Sequence, residues 1–556
     1  MRHRGRWVLV SLGVAALLTA GCTSSQGGGG GGGGGSVKQG GTLRIGSDVG
    51  IDSLNPFVGI EQDAFNAWEN VYPQLVQYDL KTLAFVPDFA TSWRQSPDGL
   101  TWTFTTRQAK WSDGQPLTAE DVAWTVNTIL KYKNGATAGG AAALAHVQSA
   151  VAENPTTFVL TYSKPVANVL SNLQQVSILP QQVWGKYATG NGSGLKTFPN
   201  TPTPSQPFVA GGPFTVSKWT KDQITLFQAN PNWYGPKPNI DGFGLQQFSN
   251  DDAMVEALKN GELDAVEGLP VTSVAAVKAT NQFHIYTGPS LFFRDFIINP
   301  NPQKTNNREL LNPLVREAFE YAMDRQEIVK TAWLGYASPG TTMVPPVTGA
   351  WHDSSIKAVP FDITKANQLL DQAGYPMGSN GLRVADGHPM SYNVIFPTDQ
   401  RGPGDRTIAI LQADFRQIGV QLKQKSMDPT AAFAAITSNH YRNFDLAYWY
   451  WVPLMDPDFI LSAYTCAQYG NWNDNGYCNA TYDKLYAQQG VTIDPAKRRQ
   501  IVYQMQQMIY DSRAEPVLVY NDIVDTWRLT WTGFVESPNG LWTQLSKVPL
   551  ESVHQV

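Results

Sequence analysis

The chain is poor in the residues and spacings from which most protein chemistry is built. Three cysteines and seven histidines occur in 556 residues. None of them falls in an H-E-x-x-H or C-x-x-C spacing, and no G-x-S-x-G is present, so the common zinc, dithiol and serine-hydrolase motifs are missing. Basic excess is missing too. The formal net charge is −5, and it becomes −8 once Arg2, Arg4 and Arg6 leave with the N-terminal segment. That sign argues against a nucleic-acid partner, because nucleic acids are held by basic surfaces. Long hydrophobic runs are scarce: the stretch Trp7 to Leu18 is too short to cross a bilayer. Preceded by the basic MRHRGR, it reads as the core of a signal peptide over residues 1–21. What is abundant is apolar residues, 42% of the chain, enough for a globular protein. Its length exceeds one ordinary core, so two or more lobes are expected.

The most ordered local grammar lies between Ser96 and Leu130. Pro97-Asp98-Gly99 forms a tight turn. Trp102, Phe104 and Thr106 then alternate with Thr101, Thr103 and Thr105, the period of a half-buried strand. A second turn at Ser112-Asp113-Gly114 leads to Thr118, three residues before Asp121, which is the spacing of a capping box. A helix should follow with Val122, Val126 and Ile129 on one face. Elsewhere the same patterns predict strands at 42–45, 157–162, 214–219, 224–228, 291–298, 392–396, 420–423 and 517–520. Helices are expected around Phe65 to Tyr72, at 165–173, at 252–259 ended by Asn260-Gly261, at 315–323, at 366–373, at 407–418 and around Ile501 to Ile509. The strand, helix, strand order over 392–423 implies parallel pairing.

The turn Trp111-Ser112-Asp113-Gly114 followed by PLTAEDV resembles the family 5 extracellular solute-binding proteins, the peptide- and nickel-type receptors of ABC importers. The resemblance extends to GGTLRIG at Gly40 to Gly46, NPNWYGPKP at Asn230 to Pro238, VREAFEYAMDR at Val315 to Arg325 and KANQLLDQAGY at Lys365 to Tyr375. It implies an α/β fold: a two-lobed, periplasmic-binding-protein-like clamshell with mixed sheets and a large first lobe carrying an extra subdomain at about 80–205. Lobe I would comprise 40–288 and 516–556, and lobe II 289–515, with crossings near Gly288 and Pro516 and ligand between the lobes. It further implies a monomeric receptor with no enzymatic activity and no cofactor, which hands a peptide or another small solute to an ABC permease. The leader ends in Leu18-Thr19-Ala20-Gly21-Cys22, similar to a lipobox, although Thr19 stands where leucine is usual. Cys22 would then carry lipid and anchor the protein to the outer side of the cell membrane, with residues 22–39, including the glycines Gly27 to Gly35, as a flexible tether of roughly 20 Å reach. This leaves Cys466 and Cys478 as an even pair in an oxidising compartment, expected to be bridged, with two buried free thiols as the alternative.

For ligand contacts the stretch FDLAYWYWVPLMDPD, Phe444 to Asp458, is the strongest candidate. Trp449 and Trp451 share one strand face, opposite Tyr448 and Tyr450, and the strand leaves the sheet at Pro453. Strand carboxyl ends open on ligand crevices in α/β sheets. Peptide-binding members generally place an acid where this chain has Pro453, to hold the α-amine. Asp456 or Asp458 is therefore expected to substitute, or the cargo lacks a free amine. Arg401 stands roughly where some members bind the ligand carboxylate. Three readings remain open: oligopeptide capture; capture of an oligosaccharide or other amine-free solute stacked on Trp449 and Trp451; and a secreted hydrolase, for which no nucleophile and base pair can be named. Asn471-x-Asn473-x-Asn475-Gly476 starts like a calcium loop, but Tyr482 stands where a bidentate Glu is required, so no metal is expected.

Overall fold

The computed structural model describes residues 38–538, 540–543 and 545–556. The signal peptide, Cys22 and the glycine run lie outside the described residues. Lys38 and Gln39, assigned above to the tether, already touch the body: Lys38 bridges to Gln555, and Gln39 Nε2 donates to Asn239 Oδ1 at 2.7 Å.

One mixed sheet of eleven strands organises the molecule. In chain order these are β1 (Thr42–Ser47), β2 (Phe214–Thr220), β3 (Ile224–Ala229), β4 (Gly242–Gln247), β5 (Ala265–Val266), β6 (Phe283–Ile298), β7 (Ala337–Pro339), β8 (Ser391–Pro397), β9 (Gln421–Met427), β10 (Leu446–Trp451) and β11 (Val517–Arg528). Their spatial order is β2-β3-β4-β1-β5-β11-β6-β10-β8-β9, with β7 added to β11. In the first half β1 runs parallel to β4 and β5; in the second, β8 runs parallel to β9 and β10. The helix expected between β8 and β9 spans Pro403–Gln417 and completes the parallel crossover.

The two halves are spliced by β6 and β11, which pair antiparallel from Phe283↔Arg528 to Asp295↔Val517. Sequence periodicity places strands only at 291–298 and 517–520. Pairing instead continues beyond both, back to Phe283 and on to Arg528. The register slips between Pro289 and Phe293, where Pro289 lies opposite Asp522. Such an irregularity accommodates a residue without an N–H donor and bends the ladder.

Each half has its own core. Leu43, Ile45, Phe214, Phe227, Phe243 and Trp542 pack in the first, and Phe296, Phe319, Tyr392, Val394, Phe415 and Val519 in the second. A four-stranded antiparallel sheet (Ala90–Gln95, Thr101–Thr106, Thr157–Tyr162, Val147–Asn154) carries the segment that opened the motif reading. There Thr118 caps the helix Ala119–Lys131. Its amide donates to Asp121 Oδ2 at 3.0 Å, and its hydroxyl accepts from the Glu120 amide. Val122, Val126 and Ile129 face Phe104, Phe158 and Leu160. No helix among the described residues is long and apolar enough to cross a membrane.

Candidate functional site

Strand β10 holds the aromatic residues singled out in the sequence. Trp451 is buried; its Nε1 donates to Asp474 Oδ2 at 2.8 Å, and its ring meets Phe459 and Trp472. Trp449 is half-buried between Phe433 and Tyr450. Tyr448 points the other way, into the second-half core. Tyr450, on that same opposite face, is half-buried, and its hydroxyl donates to Asp399 Oδ2 at 3.3 Å. Cys466 and Cys478 are bonded, with Cα atoms 4.7 Å apart. Beside them the asparagines of 471–475 make turn bonds: Asn473 Oδ1 accepts from the Gly476 amide, and Asn475 Oδ1 from the Tyr477 amide.

The two acids expected to receive an amine are already engaged. Arg498 grips Asp456 with two bonds of 2.6 Å while its guanidinium lies over Trp351. Asp458 accepts from Gln489 Nε2 and Tyr486, and burial pushes its carboxyl up. A fork of this kind is among the stronger charge-assisted contacts, so Asp456 already has its charge partner. Arg401 is exposed, two residues beyond Asp399, and makes no ion pair among the described residues.

Acids that sequence reasoning passed over lie at the carboxyl ends of three other parallel strands. Asp48 follows β1, Glu267 follows β5, and Asp399 follows β8 by two residues. Ser47 Oγ and the Gly50 amide donate to Asp63 Oδ2 at 2.8 and 3.0 Å, which pins the loop after β1 onto the first turn of the helix Gln62–Val71. Burial pushes the Asp63 carboxyl up to about 7. Asp48 is exposed, yet dense surroundings raise its carboxyl to about 6, helped by Asp251. Asp48 thus stands at the surface in dense surroundings. Glu267 takes the Trp542 indole N–H at 2.6 Å, and Asp525 takes the amides of Gly268 and Leu541, both at 2.8 Å.

Electrostatics couple the two halves at these loops. Glu61, just ahead of the helix Gln62–Val71, is raised first by burial, then by Asp52, and then by Asp399 from the other half. Burial lifts Tyr450 to about 12, and it feels Asp399, Arg294 and Glu61. The Arg294 guanidinium lies 5.1 Å from the Tyr450 ring, 5.6 Å from Trp333 and 6.0 Å from Phe292. The first half also exposes apolar side chains: Ile60 is 78% exposed, and Val49, Val58 and Phe65 are exposed as well. The strand-end rule would have found Asp48 had it been applied to β1 as it was to β10. Glu267 follows a strand of two residues, too short to show periodicity.

Comparison with known proteins places this arrangement. Over 415 residues the chain is 29% identical to Protein XP55 of Streptomyces lividans, covering 74% of this chain and 72% of that one. It is 24% identical over 554 residues, 96% of each chain, to the glutathione-binding protein GsiB of Escherichia coli O1:K1. Its fold matches the oligopeptide-binding protein AppA of Bacillus subtilis, solved with a nonapeptide, at a TM-score of 0.77 and 20% identity, covering 94% of this chain and all of that one. The profile of the bacterial extracellular solute-binding proteins, family 5, matches residues 84–472, and the chain belongs to that family.

Proposed function

We propose that this protein is the receptor of an ABC importer, that it captures an oligopeptide between the two halves of its sheet, and that it delivers the peptide to the permease. What carries the reading is membership of a solute-binding family in a chain whose two halves, each with its own core, are joined by β6 and β11 and carry acids after strands of both halves, Asp48 and Glu267 in one and Asp399 in the other. Capture requires no bond chemistry. A closed form that contacts the ligand with both halves has higher affinity than an open one, and that difference drives closure. The halves correspond to the lobes 40–288 with 516–556 and 289–515, and β6 with β11 serves as the hinge. Arg401 stands two residues beyond Asp399, and Trp449 lies on the sheet face opposite Tyr450. Asp456 and Asp458 shape the segment after β10 through Arg498 and Gln489.

An amine-bearing cargo is favoured over an oligosaccharide because the strand-end acids can replace the carboxylate that Pro453 lacks. Cys22 carries the lipid anchor, and the Cys466–Cys478 bridge closes in the oxidising compartment. Native mass spectrometry of the protein purified from its own host tests the cargo. A co-purified adduct that fragments as a peptide supports the reading, and one that fragments as a sugar overturns it. Cys22→Ala should move the protein from the membrane fraction to the medium; unchanged retention would contradict the anchor.

A further inference from the structure

We infer that the contact of Gly99, Pro165 and Ala167 in the first half with Gly490 and Ile493 in the second is a latch that holds the closed form, and that Gln489 ties this latch to the segment Asp456–Asp458. The inference rests on the two halves moving as a clamp and adds the residues that fasten it.

The Ala167 amide donates to the Gly490 carbonyl at 3.0 Å. Gly490 lies in the last turn of the helix Ala480–Val491, where carbonyls have no intrahelical donor. Two of its neighbours are capped from within: the Thr492 hydroxyl donates to the Gln488 carbonyl at 2.7 Å, and the Thr492 amide donates to that of Gln489. The Gly490 carbonyl is capped by the other half instead. Ala167 and Gly490 are both half-buried, so water replaces each partner when the halves part, and the bond breaks without stranding a polar group. Ile493 follows three residues on and is 43% exposed. A Cβ on Gly99 would stand 3.4 Å from Ile493 Cδ1 and 3.5 Å from Pro165 Cβ, so Ile493 reaches the tip of the turn Pro97-Asp98-Gly99. Beside them Tyr78 and Leu545 of the first half pack with Leu291 and Met455 of the second. A backbone bond outside any sheet, next to an exposed aliphatic side chain, is a contact that forms and breaks with the motion of the halves.

The residue before Gly490 connects the latch to the segment after β10. Gln489 is fully buried. Its Nε2 donates to Asp458 Oδ1, and its Oε1 accepts from Arg498 Nε at 2.9 Å. Arg498 in turn grips Asp456, and Tyr486, one turn before Gly490, donates to Asp458 Oδ2 at 3.4 Å. Such a network moves as one body, since breaking any member leaves a buried polar group unpaired. Asp456 and Asp458 are therefore positioning residues: a shift of their segment carries the end of the helix, and with it the Gly490 carbonyl, toward or away from Ala167.

The test reads the latch in the ligand-free protein. By native-state hydrogen exchange the Ala167 amide should exchange at least about tenfold faster than the β6 amides, through an opening that depends little on denaturant. Gln489→Ala, and the shape-conserving Asp458→Asn, should each speed that exchange severalfold and leave the helix Ala119–Lys131 unchanged. Exchange at Ala167 only with global unfolding would overturn the latch, and equal rates in wild type and both variants would overturn the tie through Gln489. A Cβ built at Gly490 meets nothing within 4 Å, and a backbone hydrogen bond holds two Cα atoms within the span of a disulfide. The oxidised double variant Ala167→Cys, Gly490→Cys should therefore bridge the halves and scatter with a smaller radius of gyration than ligand-free wild type. A pair that does not oxidise would overturn the contact, and a bridged protein of unchanged radius would overturn the latch by showing that only a local segment opens. Scattering of wild type with its co-purified peptide separates these failures from that of the clamp: a radius that falls at saturation leaves a clamp without this latch, and an unchanged radius removes both.

Discussion

Single residues hold distant parts of this chain together through buried charge. Lys547, in the C-terminal tail, is buried with its ammonium 3.0 Å from Glu69 and 2.6 Å from Asp88, and it also donates to Gln74. Lys547→Met would strand two buried carboxylates, so denaturant unfolding should show a loss of about 3–5 kcal/mol. A loss under about 1 kcal/mol would mean that the tail is not locked there. A second buried set makes stability depend on pH. Burial pushes the Glu515 carboxyl up to about 7, and raises Asp295 and Asp474 well above the usual carboxylate range. Tyr464, Asn475 and Trp451 donate to this set, and Arg294 is the cation that Asp295 feels. The folded state therefore keeps protons that the unfolded chain releases near pH 4. Stability from this set is complete below about pH 4 and is lost as pH rises through about 7, by at most about 1.4 kcal/mol per pH unit for each retained proton. Unfolding midpoints measured from pH 4 to 8 should fall with pH, and Glu515→Gln should flatten the slope. Identical slopes would refute the assignment. None of these partners was legible in the sequence, because contacts between residues far apart along the chain leave no local pattern.

Elements were far more legible, wherever one periodicity or one cap defined them. The helix Ala119–Lys131 starts where Thr118 and Asp121 said it would. Thr118→Ala should lower stability by about 1 kcal/mol, and an unchanged unfolding midpoint would show that the cap contributes nothing. The helix Asp251–Asn260 ends at Gly261 with φ of 86°, as Asn260-Gly261 implied. Legibility failed at the splice, where periodicity showed only 291–298 and 517–520 while cross-strand pairing extends β6 and β11 to Phe283 and Arg528. Pairing partners far apart in sequence decide such strands, and local propensity cannot see them. The bridge between Cys466 and Cys478 closes a short loop behind Trp451. Reducing it in the intact protein should cost about 2–3 kcal/mol of stability; no change on reduction would show that the thiols are free in solution.

At the scale of the molecule, the family motifs disclosed the architecture, while the site was only half visible. The β10 aromatics form the strand with two faces that their alternation implied, and the acids expected to receive an amine lie on the same segment, at Asp456 and Asp458. Arg498 and Gln489 hold those two, and further acids, Asp48, Glu267 and Asp399, follow β1, β5 and β8. A site assembled from strand ends of two halves is a property of topology, and topology appears in sequence only through resemblance. The halves already touch on one side: Tyr78 packs with Leu291, Met455 and Leu545, and the Ala167 amide donates to the Gly490 carbonyl at 3.0 Å. The central claim is that these halves form a clamp that closes on a solute. Small-angle scattering of the protein, first stripped of ligand and then saturated with the peptide recovered from it, tests that claim most directly. The account predicts a smaller radius of gyration at saturation, and an unchanged radius with the site demonstrably full would contradict it.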